Sequence, residues 1–147
     1  LTYNDVTFGA TYRNVGLTGN NTFNNLTLVS PAGAGRRALS VTATSITVLG
    51  TLSCSGAAAN RRPRITGGAL GVTFDVATVA PLSDVDFLGI TAAGASAPWS
   101  GTRLGDMGSS NVNITFDAPK TVASGPKTEK YCTSRLRCHL NINNMKS

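Results

Sequence analysis

Apolar and polar side chains alternate in short runs along this chain, and one four-residue run keeps returning. Its form is any residue, then Val, Leu or Ile, then Thr or Asp, then Phe, Leu or Val. It occurs as Asp5-Val6-Thr7-Phe8, Asn25-Leu26-Thr27-Leu28, Ser45-Ile46-Thr47-Val48, Gly71-Val72-Thr73-Phe74, Asp84-Val85-Asp86-Phe87 and Asn113-Ile114-Thr115-Phe116, with Asn14-Val15-Gly16-Leu17 a weaker copy. Successive side chains of a strand point to opposite faces, so Val6 and Phe8 share one face while Thr7 takes the other. Two apolar groups are too small a core for one strand alone. Stacked on the next strand at about 4.8 Å, they join continuous apolar ladders. The starts of the copies lie 20, 20, 26, 13 and 29 residues apart, a spacing that predicts coils of two or three short strands. Gly19-Asn20-Asn21, Pro31 to Gly35, Gly67-Gly68 and Gly108 to Asn111 supply turn residues between copies. The expected fold is all-β, a β-solenoid of the parallel β-helix kind over residues 1–122. The uneven gaps keep a β-sandwich or jelly roll as the alternative.

Two stretches refine this picture. Leu39, Val41 and Ala43 alternate, and Ile46, Val48 and Leu52 resume after a phase slip at Thr44-Ser45, which predicts two strands joined by a corner. Asn60-Arg61-Arg62-Pro63-Arg64 interrupts the apolar pattern. It is expected to form a protruding turn, with Pro63 excluding a central strand. Helices are not expected, because no segment sustains an i, i+3, i+4 apolar pattern over three turns. The apolar runs are also too short for a membrane-spanning helix, so no membrane insertion is expected. The chain opens on Leu1 rather than Met and shows no signal peptide, so a processed product or a fragment is expected.

Composition supports the β reading. Charged residues make up 14% of the chain, against roughly a quarter in ordinary globular domains, and Gly, Ser, Thr, Asn and Ala take their place. The net charge of +6 is uneven. Residues 1–119 carry seven Arg against six Asp, whereas residues 120–147 carry six basic groups against Glu129 alone. The last segment, 123–147, has no copy of the repeat and is expected to be an irregular basic tail. Of three cysteines, Cys54 follows an apolar strand and is expected to be a small buried hydrophobe. Cys132 and Cys138 lie in the tail beside His139, at a spacing that fits no common zinc pattern, so neither a metal nor a cofactor is expected. Asn20, Asn25 and Asn113 match the glycosylation acceptor pattern, which arises readily by chance in an Asn- and Thr-rich chain.

The Asn-Val/Leu/Ile-Thr-Phe/Leu copies with glycine-rich corners resemble the rungs of right-handed parallel β-helices. Thr102 to Asp106, followed by Asn113 to Val122, is similar to stretches found in phage-like virion-surface and fibre proteins. The resemblance covers residues 1–122. It implies a non-enzymatic structural or adhesive protein of a virion fibre or other surface appendage. Its neighbours would be copies of itself, a trimer among the arrangements, other virion or surface proteins, and surface glycan. A carbohydrate-active enzyme fragment and a secreted bacterial adhesin on the same fold are the alternatives.

Chemistry is sparse. Glycoside hydrolysis needs two carboxylates about 5–9 Å apart. Asp75, Asp84, Asp86, Asp106 and Asp117 are the candidates, and Asp84 and Asp86 make the best pair, since they share one face of a strand about 7 Å apart; as the polar face of a rung, that face is expected to be exposed. No residue is assigned as catalytic. Arg61, Arg62 and Arg64 are candidate contacts to an anionic glycan or phosphate. Trp99, between Pro98 and Ser100 in a glycine-rich loop, is a candidate glycan-stacking or interface contact, with a core position as its plain alternative. The segments 56–64 and 92–111 are expected to present such contacts as surface turns.

Overall fold

The structure is a computed structural model and describes residues 1–11, 14–33, 35–68, 71–108 and 110–117. The boundary expected at residue 122 and the basic tail 123–147 lie outside the described residues. Among the described residues twelve strands follow one another: β1 (Thr2–Phe8), β2 (Val15–Thr18), β3 (Asn21–Leu28), β4 (Gly35–Thr42), β5 (Ser45–Ser53), β6 (Arg61–Gly67), β7 (Val72–Val79), β8 (Leu82–Ser83), β9 (Asp86–Leu88), β10 (Ile90–Ala93), β11 (Gly101–Thr102) and β12 (Gly105–Asp106). They form two five-stranded sheets, β1-β3-β5-β7-β10 and β12-β9-β6-β4-β2, with β11-β8 as a short third pair. Every pairing between these strands is parallel. The chain thus alternates between two sheets as it climbs, which is a β-solenoid. A β-sandwich, built from antiparallel hairpins, is excluded.

The core lies between the sheets. On β3 the buried apolar positions are Phe23, Leu26 and Leu28, on β5 Ile46, Val48 and Leu52, and on β7 Val72, Phe74 and Val76. They face Leu39 and Val41 of β4, Ile65 of β6 and Phe87 of β9, all in one apolar cluster. The alternation seen in sequence is therefore the inward–outward alternation of the strands. The first two copies of the repeat stack as expected, with Asp5, Val6, Thr7 and Phe8 opposite Asn25, Leu26, Thr27 and Leu28. The later copies do not. Ile46 pairs with Asn21 and with Phe74, and the Asp84–Phe87 copy feeds β9 in the other sheet. The four-residue run marks strands, not levels.

The corner expected at Thr44-Ser45 is present between the end of β4 and the start of β5. A second irregularity was not foreseen. Between Phe23↔Val48 and Leu26↔Leu52, β5 spends one residue more than β3, and it also spends one more than β7 between Val48↔Val76 and Leu52↔Val79. This is a β-bulge, which leaves ladder groups unpaired. Asn25 repairs it: its Oδ1 accepts from the Thr51 N–H at 2.7 Å, and its Nδ2 donates to Asp5 at 2.9 Å. Gly50 is required there, since a Cβ would lie 2.5 Å from Asn25 Oδ1 and 2.8 Å from the Asn24 carbonyl oxygen.

Two expectations about turns are corrected. Residues 61–64 do not protrude but open β6, an interior strand of its sheet, with Pro63 buried and facing the core. Proline is tolerated because β6 pairs with β4 from Arg61 onward but with β9 only from Arg64, so Pro63 sits where the strand is still an edge. The segment 92–111 is likewise drawn into the stack, contributing the end of β10, β11 and β12.

Cys54 is 1% exposed and lies in the apolar cluster, and burial pushes its thiol up to about 12. Because the thiolate is the reactive form, Cys54 in the native protein is expected to resist alkylation at pH 8 and to react on unfolding in denaturant. Peptide mapping by mass spectrometry reads this site separately from Cys132 and Cys138.

Candidate functional site

The register of the second sheet builds a cluster of charges that is scattered in sequence. Pro63 and Ile65 point inward on β6, so Arg62 and Arg64 point outward. Arg64 pairs with Asp86, and Asp86 with Gly105. Continuing the same offsets two residues back sets Asp84 beside Arg62 and Arg103 beside Asp84. Two columns result on the outer face, Arg62–Asp84–Arg103 and Arg64–Asp86–Gly105, with opposite charges in successive levels.

Arg62 ties the columns together. Its Nε donates to Asp86 Oδ1 at 2.8 Å, its Nη1 to Asp84 Oδ1 at 3.1 Å, and its Nη2 to the carbonyl oxygens of Val85 at 3.2 Å and Arg103 at 2.7 Å. From the other side, Arg103 Nε donates to Asp84 Oδ1 at 2.7 Å and its Nη2 to Oδ2, and the Arg103 N–H donates to Asp117. Asp84 and Asp86 are buried at 1% and 3% exposure, which corrects the expectation of an exposed polar face. The guanidinium groups cover the carboxylates, and the planar five-donor fork of Arg62 is what lets one side chain serve two carboxylates and two carbonyls. Asp86 lies over Gly105, where a Cβ would collide with its Oδ1. Asp84 and Arg103 hold the left-handed backbone conformation at φ 53°. Such residues cost of order 1–3 kcal/mol and persist where their surroundings over-determine them; here the ion pairs do so.

Electrostatics follow from these contacts. The hydrogen bonds from Arg103, opposed by burial and aided by the charges of Arg103 and Arg62, hold the Asp84 carboxyl below the usual carboxylate range. A general acid needs the opposite shift. The arrangement thus keeps Asp84 ionised and engaged with its partners.

Of the other candidates, Arg61 and Trp99 lie apart from this cluster and Arg64 borders it. Arg61 donates from Nε to the Pro31 carbonyl oxygen at 3.0 Å, and its own carbonyl accepts from Ser30 Oγ at 3.0 Å, closing the 54–60 loop onto the previous level. Arg64 is half-buried on the outer face beside Arg62. Trp99 is not brought to the arginines. It is 2% exposed, its ring packs at 6.3 Å from Phe74 and 6.0 Å from Phe87, and its Nε1 donates to Ser96 Oγ at 3.1 Å. Stacking on a sugar requires an open ring face, and this ring is part of the core. Its edge reaches a hollow of about 330 Å³ lined by residues 77–81 and Ser96. Asp117 was a candidate carboxylate from the sequence, but its bond to the Arg103 N–H and the part of Arg103 in the cluster were not foreseen. The available signal was Arg103-Leu104-Gly105 repeating the outward–inward–outward order of Asp84-Val85-Asp86 one level later. No family model, curated protein or solved structure matches the chain in comparisons with known proteins.

Replacing Arg62 would remove a guanidinium that bonds both buried carboxylates, Asp84 and Asp86. Arg62→Ala is expected to cost about 3–5 kcal/mol of unfolding free energy, and Arg62→Lys to recover only part of it, since an ammonium cannot span the same acceptors; urea unfolding monitored by circular dichroism measures both. Because Asp84 is lowered in the folded state, its contribution is fully present above the unfolded value of about 3.9 and is lost as pH falls from there through the lower folded value. Arg103→Ala, which removes the largest cause of the lowering, should flatten that acid limb. Trp99→Ala is expected to cost about 3–5 kcal/mol as a core truncation, read in the same unfolding experiment.

Proposed function

We propose that the chain is a non-enzymatic structural or adhesive segment of a surface appendage, of the kind that virion fibres provide. One observation carries this reading: the carboxylate pair best placed by sequence for acid–base chemistry, Asp84 and Asp86, is covered by Arg62. The most elaborate polar cluster of the stack is spent on joining one level to the next. The fold supports the same reading, since a stack of parallel strands held by backbone hydrogen bonds is a stiff scaffold that presents outward side chains at fixed spacing. Under this proposal the protein works at a virion or extracellular surface. It associates with copies of itself and with other surface proteins, and it touches glycan through outward side chains of the stack, the half-buried Arg64 among them.

Two measurements test the proposal together. Electron microscopy of the purified chain should show elongated particles whose diffraction carries a repeat near 4.8 Å along the long axis. Incubation with neutral and acidic polysaccharides should release neither new reducing ends nor unsaturated products. Release of either product that is abolished by Asp84→Asn would sink the structural reading and establish a carbohydrate-active enzyme.

A further inference from the structure

The ladder between two of the levels is interrupted. β7 pairs with β10 from Val72↔Ile90 to Asp75↔Ala93, and pairing between these levels resumes only at Leu82↔Gly101, where β8 meets β11. At both ends of the interruption the levels are pressed together. A Cβ on Gly94 would lie 2.6 Å from the Val76 carbonyl oxygen, and one on Gly101 would collide with that of Leu82. Between the two glycines the levels part. A hollow of about 330 Å³ opens there, lined by residues 77–81 and by Ser96, Pro98, Trp99 and Ser100. The upper level does not supply the missing ladder. Pro98 has no N–H, and the Ala97 N–H donates back to the Gly94 carbonyl oxygen at 3.2 Å. Trp99 bonds onward: its N–H donates to the Asn113 carbonyl oxygen at 2.9 Å, and its carbonyl oxygen accepts from the Thr115 N–H at 2.8 Å. In the lower level the Ala80 N–H donates away from the hollow, to the Leu52 carbonyl oxygen at 2.9 Å. Peptide groups alternate in direction along a strand, so the N–H and C=O of Val79, next to Ala80, face the hollow.

We propose that this hollow binds one ring of a neutral sugar. The assignment rests on the appendage reading and gives its glycan contact a place in the fold. The lining carries no charged side chain, so a phosphate, sulfate or uronate meets no counter-charge in it. Its polar groups are the hydroxyls of Thr78 and Ser100, exposed at the rim, and the Val79 peptide groups. Together they donate and accept, as sugar hydroxyls do. The rest of the lining is apolar and held in place: the rings of Pro81 and Pro98 and the edge of Trp99, whose indole is fixed by Phe74, Phe87 and its bond to Ser96 Oγ. These offer the C–H groups of a sugar ring an apolar contact without an open aromatic face. The volume of about 330 Å³ lies at the small end of the range for ligand sites, about 300–1,000 Å³, which suits one ring and not a chain of them. A hydrocarbon would leave the Val79 groups unpaired, which costs free energy. A peptide strand would need a longer open ladder than Val79 alone provides.

Trp99 is the only tryptophan of the chain, so its emission reports on the hollow. The test titrates the full chain with D-glucose, D-galactose, D-mannose and N-acetyl-D-glucosamine, and with D-glucuronate as the charged comparison. At least one neutral sugar should shift the emission saturably, with millimolar affinity, and glucuronate should bind more weakly. Ser100→Phe and Thr78→Phe each bring a ring to the hollow from its exposed rim, and each should weaken binding at least about tenfold. Ser40→Phe, exposed on the second sheet, is the control and should bind as the wild type does. Saturation-transfer NMR follows the sugar itself, so binding is read even where the new ring alters the emission. Circular dichroism shows which variants keep the fold. Should the bulky variants fail to fold, Ser100→Ala removes a hydroxyl without adding bulk and should still weaken binding. No saturable response to any of the four neutral sugars would overturn the site, as would tighter binding of glucuronate or unchanged binding in the rim variants. Elongated particles that release no product from polysaccharides and bind none of the four sugars overturn the site and leave the appendage reading standing. Sugar binding lost in the rim variants, together with product release abolished by Asp84→Asn, overturns that reading and leaves the site.

Discussion

Parallel strands can stack only if every level offers its neighbour a backbone ladder in register, and the rest of this structure follows from meeting that condition with levels of unequal length. Thr2 faces Thr22, but Asn21 faces Ile46, Ser45 faces Thr73 and Val72 faces Ile90. The strands keep their match while the corners between them take up the difference. Corners, however, leave backbone groups without ladder partners, and a buried unpaired group costs about as much as a lost hydrogen bond. Asparagine is the recurring remedy. Asn14 accepts from Ala38 N–H, Asn20 from the N–H groups of Thr44 and Ser45, and Asn111 from Ile90 N–H. Each side chain bonds across to a neighbouring level, so the corners are cross-linked by side chains where the strands are cross-linked by backbone.

The charged columns solve the same problem near the end of the described stack. There the strands are short: β9 has three residues and β12 two. Few backbone bonds remain per level, and the ladder alone gives weak registration. Arg62 reaches from β6 past β9 to the carbonyl of Arg103, spanning three successive levels with one side chain. A buried ion pair adds little net stability over a well-packed apolar substitute. What it adds is a penalty on wrong alignments, because a shift of one residue would strand two carboxylates and a guanidinium in a poorly solvated place.

These two devices differ in how far the sequence reveals them. The strands were legible because alternation of Val, Leu, Ile and Phe with Thr is a local signal, and the fold class followed from its recurrence. The levels were not, because the distance from one to the next varies and the four-residue run occurs in both sheets. Without that distance, Arg62 and Asp84 are two residues 22 positions apart; with it, they are neighbours. The same gap explains the misplacement of Pro63. Its missing N–H argues against a central strand only if both neighbours run alongside it, and whether β9 does so at that point is a matter of register. Trp99 was open between core and surface because a lone aromatic in a glycine-rich segment carries no periodic context. The hollow between Phe74 and Phe87 that receives it is formed by residues more than ten positions away.

The division of labour between the two outward faces has a consequence for how this protein tolerates change. On the second sheet Arg62, Asp84, Asp86 and Gly105 constrain one another, so a substitution at any of them disturbs the other three. On the first sheet the outward-facing Thr22, Thr47, Thr73 and Thr91 are half-buried, and surface substitutions usually stay within about 0.5 kcal/mol. The hydroxyl face is therefore free to vary without loss of the fold.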